Sequence, residues 1–136
     1  MSKVQDIFGA SPKSVLNKPF MHVQDVQPED TAGQTLIVGE TQRRINTVAI
    51  NEISGASLAA DTINLPAGEY WIEGTVCHHC INTAAYDGIK VYISVDGTPR
   101  IFSNSNDVNY HNSLDTSVVG RLTLAAPAAL TVVTNS

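Results

Sequence analysis

Along most of this chain apolar and polar residues alternate in short runs, cut at close intervals by turn-forming residues. In YWIEGTV, Tyr70, Ile72 and Val76 fall on one side of an extended backbone, and Trp71, Glu73 and Thr75 on the other. RRINTVAIN places Val48 and Ile50 on one face, ISGASLAAD turns at Gly55, and TINLPAGEY turns at Pro66-Ala67-Gly68. GIKVYISVDGTPRIF predicts two strands joined at Asp96-Gly97, a dipeptide that accepts the positive φ angles of a tight hairpin. In the first of these strands Ile89, Val91, Ile93 and Val95 form an apolar face opposite Lys90, Tyr92 and Ser94. The polar stretch SNSNDVNYHNS, residues 103–113, predicts an exposed loop, after which SVVGRLTLAA and ALTVVTN close the chain as two strands separated at Pro127. Many short antiparallel strands without a βαβ rhythm predict an all-β sandwich or barrel and disfavour a parallel sheet with a nucleotide site.

The first forty residues have a different texture. Pro12, Pro19 and Pro28 punctuate small apolar groups that share no period, and each proline removes a backbone donor and biases its predecessor to extended backbone. Residues 1–41 are therefore expected to form an arm and residues 42–136 the folded domain. The segment 20–26, FMHVQDV, is open to two readings, the end of that arm or a first strand of the domain.

Composition narrows the function. The 136 residues fit one domain, and only 15% of them are charged, which suits strands and turns better than helices. A net charge of −5 without a basic cluster argues against nucleic acid; Arg43-Arg44, the densest pair, is expected to be the solvated start of a strand. No segment nears the roughly 20 apolar residues that span a bilayer, and MSKVQDIFGASPKS lacks the apolar run of a signal peptide, so the chain is expected to stay soluble where it is made.

The stretch TVCHHCIN carries the sharpest chemical suggestion, Cys77 and Cys80 at Cys-x-x-Cys spacing around two histidines. On a regular strand these cysteines lie about 10 Å apart and point to opposite faces, too far for a disulfide or a shared zinc ion. Chelation would need a turn, and no Gly, Pro, Asn or Asp lies between Val76 and Ile81. Cys80 is expected to face the core with Ile72 and Val76, while Cys77 and His79 share the Trp71 face. With Ile81 these residues make that face less polar than a solvated strand requires, so Trp71, Cys77, His79 and Ile81 are the candidate subunit interface. Asp107 and His111, near Ser105 and Ser113, lack a nucleophile elbow to position them. The aspartates beside turns lack a calcium-loop pattern and are expected to cap local donors. No catalytic residue, metal or cofactor is expected.

The ordered set INTVAIN, ISGASL, INLPAGEYWIEG, KVYISVDGT and SVVGRLTLAAPAALTVV, covering residues 42–134, resembles a family of jelly-roll domains of tailed-bacteriophage virion proteins, related in outline to the C1q and tumour-necrosis-factor fold. The central motif has a physical reason: proline fixes φ at the turn, Gly68 permits an otherwise strained backbone, and Tyr70 lays its ring over the end of the sandwich. CHHC and the arm are departures from the family pattern. The resemblance implies an antiparallel β-sandwich of jelly-roll topology that serves as a capsid cement, or decoration, protein on the outer surface of the virion. Its expected partners are itself, as a homodimer or homotrimer, and the major capsid protein, with no direct contact to nucleic acid or membrane. Ile7, Phe8, Leu16 and Phe20 are the candidate capsid-binding anchors on the arm. Two other readings are a receptor- or carbohydrate-binding head of a tail fibre or spike, using the 103–113 loop, and a metal-dependent hydrolase resting on CHHC alone.

Overall fold

The computed structural model describes residues 18–31, 34–37, 39–79, 86–103, 106–108 and 113–135. Among them lie eleven strands and no helix: β1 (Met21–Gln24), β2 (Glu40–Gln42), β3 (Thr47–Asn51), β4 (Ser57–Ala59), β5 (Thr62–Leu65), β6 (Gly68–His79), β7 (Tyr86–Val95), β8 (Thr98–Phe102), β9 (Asn106–Val108), β10 (Ser113–Leu124) and β11 (Ala128–Asn135). Two antiparallel layers pack face to face as a β-sandwich. One follows the order β4-β5-β11-β7-β8, with β2 added beside β11 and β9 beside β7; the other is the long ribbon β6-β10. Among the described strands the chain passes from one layer to the other between β5 and β6, β6 and β7, β9 and β10, and β10 and β11.

The core forms where the inner faces meet. Val118, Leu122 and Leu124 of β10 pack with Val91, Ile93 and Val95 of β7, Leu65, Ile101 and Leu130. Burying each such side chain contributes about 1.5–3 kcal/mol, so this contact is the main cohesion between the layers. Gly120, on the inner face of β10, lets the layers close in: a Cβ there would stand 2.9 Å from Cγ2 of Ile101.

The turns follow their chemistry. Asp96 and Gly97 take φ of 49° and 85°, and Val95 pairs with Thr98, giving the two-residue hairpin expected of Asp-Gly. Gly68 adopts φ 156°, and the Tyr70 hydroxyl donates to the Pro66 carbonyl at 2.7 Å, which closes the Leu-Pro-Ala-Gly turn under the ring. A second two-residue hairpin joins β4 to β5 with φ of 48° at Ala60 and 61° at Asp61. Aspartate tolerates that region and alanine does not, so tertiary contacts hold the turn. Asp61 Oδ1 accepts from the Ile45 amide at 3.1 Å, and Asp96 Oδ1 accepts from the Ala129 amide at 2.9 Å. These two aspartates therefore tie distant segments together, where local capping was expected.

Several expectations need correction. Within the predicted 103–113 loop, residues 106–108 form β9 and pair with β7 through Asn106–Ile89 and Val108–Tyr86. Both faces of β7 are covered: Tyr92 and Ser94 are buried as fully as the apolar residues opposite them. The Tyr92 ring lies 6.0 Å from that of Phe102, and burial, then the Glu40 carboxylate, push its hydroxyl up to about 12. Arg43 and Arg44 are partly buried and follow β2, so they are not the solvated start of a strand. Arg44 donates through Nε to both oxygens of Asp25 at 3.0 and 3.1 Å, and that contact holds the Asp25 carboxyl below its usual range.

Paired structure begins inside the stretch expected to be an arm. β1 pairs with β3, and β2 pairs with β11 through Val133–Gln42. The segment 20–26 thus supplies a strand, and residues 1–17 lie outside the described residues. Val48 and Ile50 do share a face of β3, but it is an exposed one.

Candidate interaction surface

β6 and β10 pair without a register break over twelve residues each, from Gly68–Leu124 to His79–Ser113. The pleat sends Tyr70, Ile72, Val76 and His78 inward from β6, and Glu69, Trp71, Glu73, Thr75 and Cys77 outward. From β10, Asp115, Ser117, Val119, Arg121 and Thr123 complete the outer face. Trp71 is 63% exposed and Val119 49%. The Trp71 indole donates to Glu73 Oε1 at 2.8 Å, and the Thr75 and Ser117 hydroxyls meet at 3.5 Å. The face is an apolar patch set among polar groups, four of which bond one another.

The Cys77 thiol sits beside Asp115, its cross-strand neighbour. Burial first, and then that carboxylate, push the thiol up, so it stays protonated and a poor nucleophile or metal ligand at neutral pH. Cys77 and His78 leave β6 on opposite faces, as the pleat requires. Among the described residues no three His, Cys, Asp or Glu side chains gather as a metal cage. Cys80 and His111, on which other chelating arrangements would depend, lie outside the described residues.

His78 escaped sequence reasoning. It is 3% exposed, and its Nε2 lies 3.3 Å from Thr134 Oγ1 of β11, so it spans the two layers inside the core. Its Nδ1 is buried without a hydrogen-bond partner among the described residues. Burial, then the Arg43 charge, push its imidazole below the ordinary range, and Asp115 opposes them. Parity alone could have found it, since 70, 72, 76 and 78 share a face.

Of the expected interface residues, the structure brings Trp71 and Cys77 together on the outer face. His79 is described only by its backbone, opposite Ser113, and Ile81 lies outside the described residues. Of the expected anchors, Ile7, Phe8 and Leu16 also lie outside them. Phe20 is 50% exposed at the start of the β1–β3 ribbon, where its carbonyl accepts from the Glu52 amide at 2.9 Å. Phe20, Val26, Val48 and Ile50 give this ribbon a second exposed apolar area.

A cleft of about 380 Å³ opens between Gly55, Pro66, Asp96, Pro127 and Ala129. Asp96 is the one ionisable residue in its lining, and one of its oxygens already accepts from Ala129. Nothing there pairs a base with a nucleophile. Compared with known proteins, the chain matches no family model, no curated protein and no solved structure.

Proposed function

We propose that this protein is a structural component of a tailed-phage virion that decorates the capsid and cements neighbouring major capsid subunits, acting by binding rather than catalysis. The observation that carries the reading is the outer face of the β6–β10 ribbon. A rigid sandwich presents a half-apolar sheet face centred on Trp71 and Val119, a feature suited to a protein–protein contact. The ordered motifs from INTVAIN to the closing strands support the virion assignment through their family resemblance.

In this reading the sandwich is the rigid body and the N-terminal segment is the tether. With β1 starting at Met21, the segment ahead of it, residues 1–19, would if extended reach on the order of 60 Å, enough to cross a subunit boundary. Several tethers on one oligomer would combine by effective concentration, raising avidity by about 10²- to 10⁴-fold. Deletion of residues 1–19 is expected to leave the sandwich folded while lowering co-sedimentation with empty heads at least tenfold. Undiminished binding of the truncated protein would contradict the tether. Retention on immobilised glycans without binding to heads would favour a fibre-tip receptor module instead.

A further inference from the structure

We infer that β10 is a self-complementary edge, and that two copies of this chain join antiparallel along it about a two-fold axis at Val118, forming one continuous sheet β6-β10-β10-β6. Among the described residues β10 forms its strand ladder with β6, over twelve residues, and no other described strand pairs with it. Its sequence, SLDTSVVGRLTL, contains no proline, and its ladder has no bulge. Those are two of the devices that stop an exposed edge from pairing, and a strand this long and regular without them is a template for another strand.

Charge and face select the partner and the register. Centred on Val118, antiparallel pairing sets Asp115 opposite Arg121 of the second copy, and Arg121 opposite its Asp115. Both residues are exposed on the outer face, and Arg121 has no ion pair among the described residues. On the inner face the same register sets Leu114 opposite Leu122 and Val118 opposite itself, so the core runs on across the axis. Moving the axis by one residue, to Ser117 or Val119, leaves both charges opposite uncharged residues. Half-residue shifts set inner side chains against outer ones. The edge of β6 offers no such match, because its outer face carries Glu69 and Glu73 and no described cation. A second copy paired through β6 would gain nothing from charge, and about Trp71 it would set Glu69 against Glu73.

The test uses the purified full-length protein under reducing conditions, so that disulfides through Cys77 do not count and no capsid is needed. Its outcome is therefore separate from that of the capsid reading. Sedimentation equilibrium over a dilution series is expected to show a species of twice the 14.5 kDa chain mass. Asp115→Arg or Arg121→Asp alone places like charges opposite each other twice per dimer, and each should raise the dissociation constant at least about tenfold. The double reversal restores both pairs and should return it to within about threefold of the original. Circular dichroism confirms that each variant folds; if one single reversal does not, the other and the double variant carry the comparison. A monomeric parent protein, an oligomer indifferent to the reversals, or a double variant as weak as the singles would overturn the inference.

Discussion

Gly120 is the residue on which the spacing of the two layers rests most directly. Alanine there would drive its methyl against buried Ile101, whose Cγ2 stands 2.9 Å from the Cβ position. Overpacking of this kind costs about 1–3 kcal/mol, more than the roughly 0.5–1 kcal/mol gained by removing a glycine from a strand. Gly120→Ala should therefore lower Tm by several degrees, and adding Ile101→Leu, which removes the Cγ2 branch, should recover part of the loss in a double-mutant cycle. His78 supplies a test by pH. Its folded imidazole is pushed below the ordinary value of about 6.5 by burial and by Arg43, so the unfolded chain binds a proton more readily. Its contribution to stability is complete above about pH 6.5 and is lost as pH falls from there through the folded value. Urea melts of the parent and of His78→Leu should converge in their pH dependence above 6.5 and separate below it, with the parent losing stability faster. Parallel curves at all pH values would mean that His78 is not held neutral.

At the scale of elements, what the sequence disclosed depended on whether local chemistry or tertiary cover made the decision. The Asp96-Gly97 hairpin, the two faces of β6 and the break at Pro127 were legible because glycine, proline and strict alternation act within a few residues. The Ala60–Asp61 hairpin was hidden, since alanine at positive φ has no local cause and is held there by Asp61 reaching Ile45. β9 was hidden as well, because its polar residues read as loop until β7 supplies a partner. Tyr92 and Ser94 looked solvent-facing from alternation, yet both are buried. Of the candidate surface, Trp71 and Cys77 were found from parity, whereas Arg121 and Val119 were passed over, since their place is set by the register with β6. The strained turn gives an unusual prediction. Ala60→Gly should stabilise the protein by about 0.5–1 kcal/mol, because relief of the φ of 48° outweighs the added freedom of the unfolded chain. A lower midpoint in urea for this variant would show that the alanine is not strained.

At the scale of the whole molecule, rigidity and stickiness are divided between parts. The sandwich is held by a continuous apolar core, while the outer face of β6–β10 and the β1–β3 ribbon remain partly apolar and exposed. An isolated two-stranded ribbon is only marginally stable in water, so β1–β3 would gain from a surface to lie on. In a capsid the tether and ribbon would meet the shell and the sandwich would meet its sister copies. The most direct test of this account is to image particles that carry the protein, with its position marked by a specific antibody. The account predicts density on the outer shell at the junctions between major capsid subunits, repeated with the symmetry of the head. Density confined to the tail or its fibres, or particles that assemble without the protein on the shell, would contradict it.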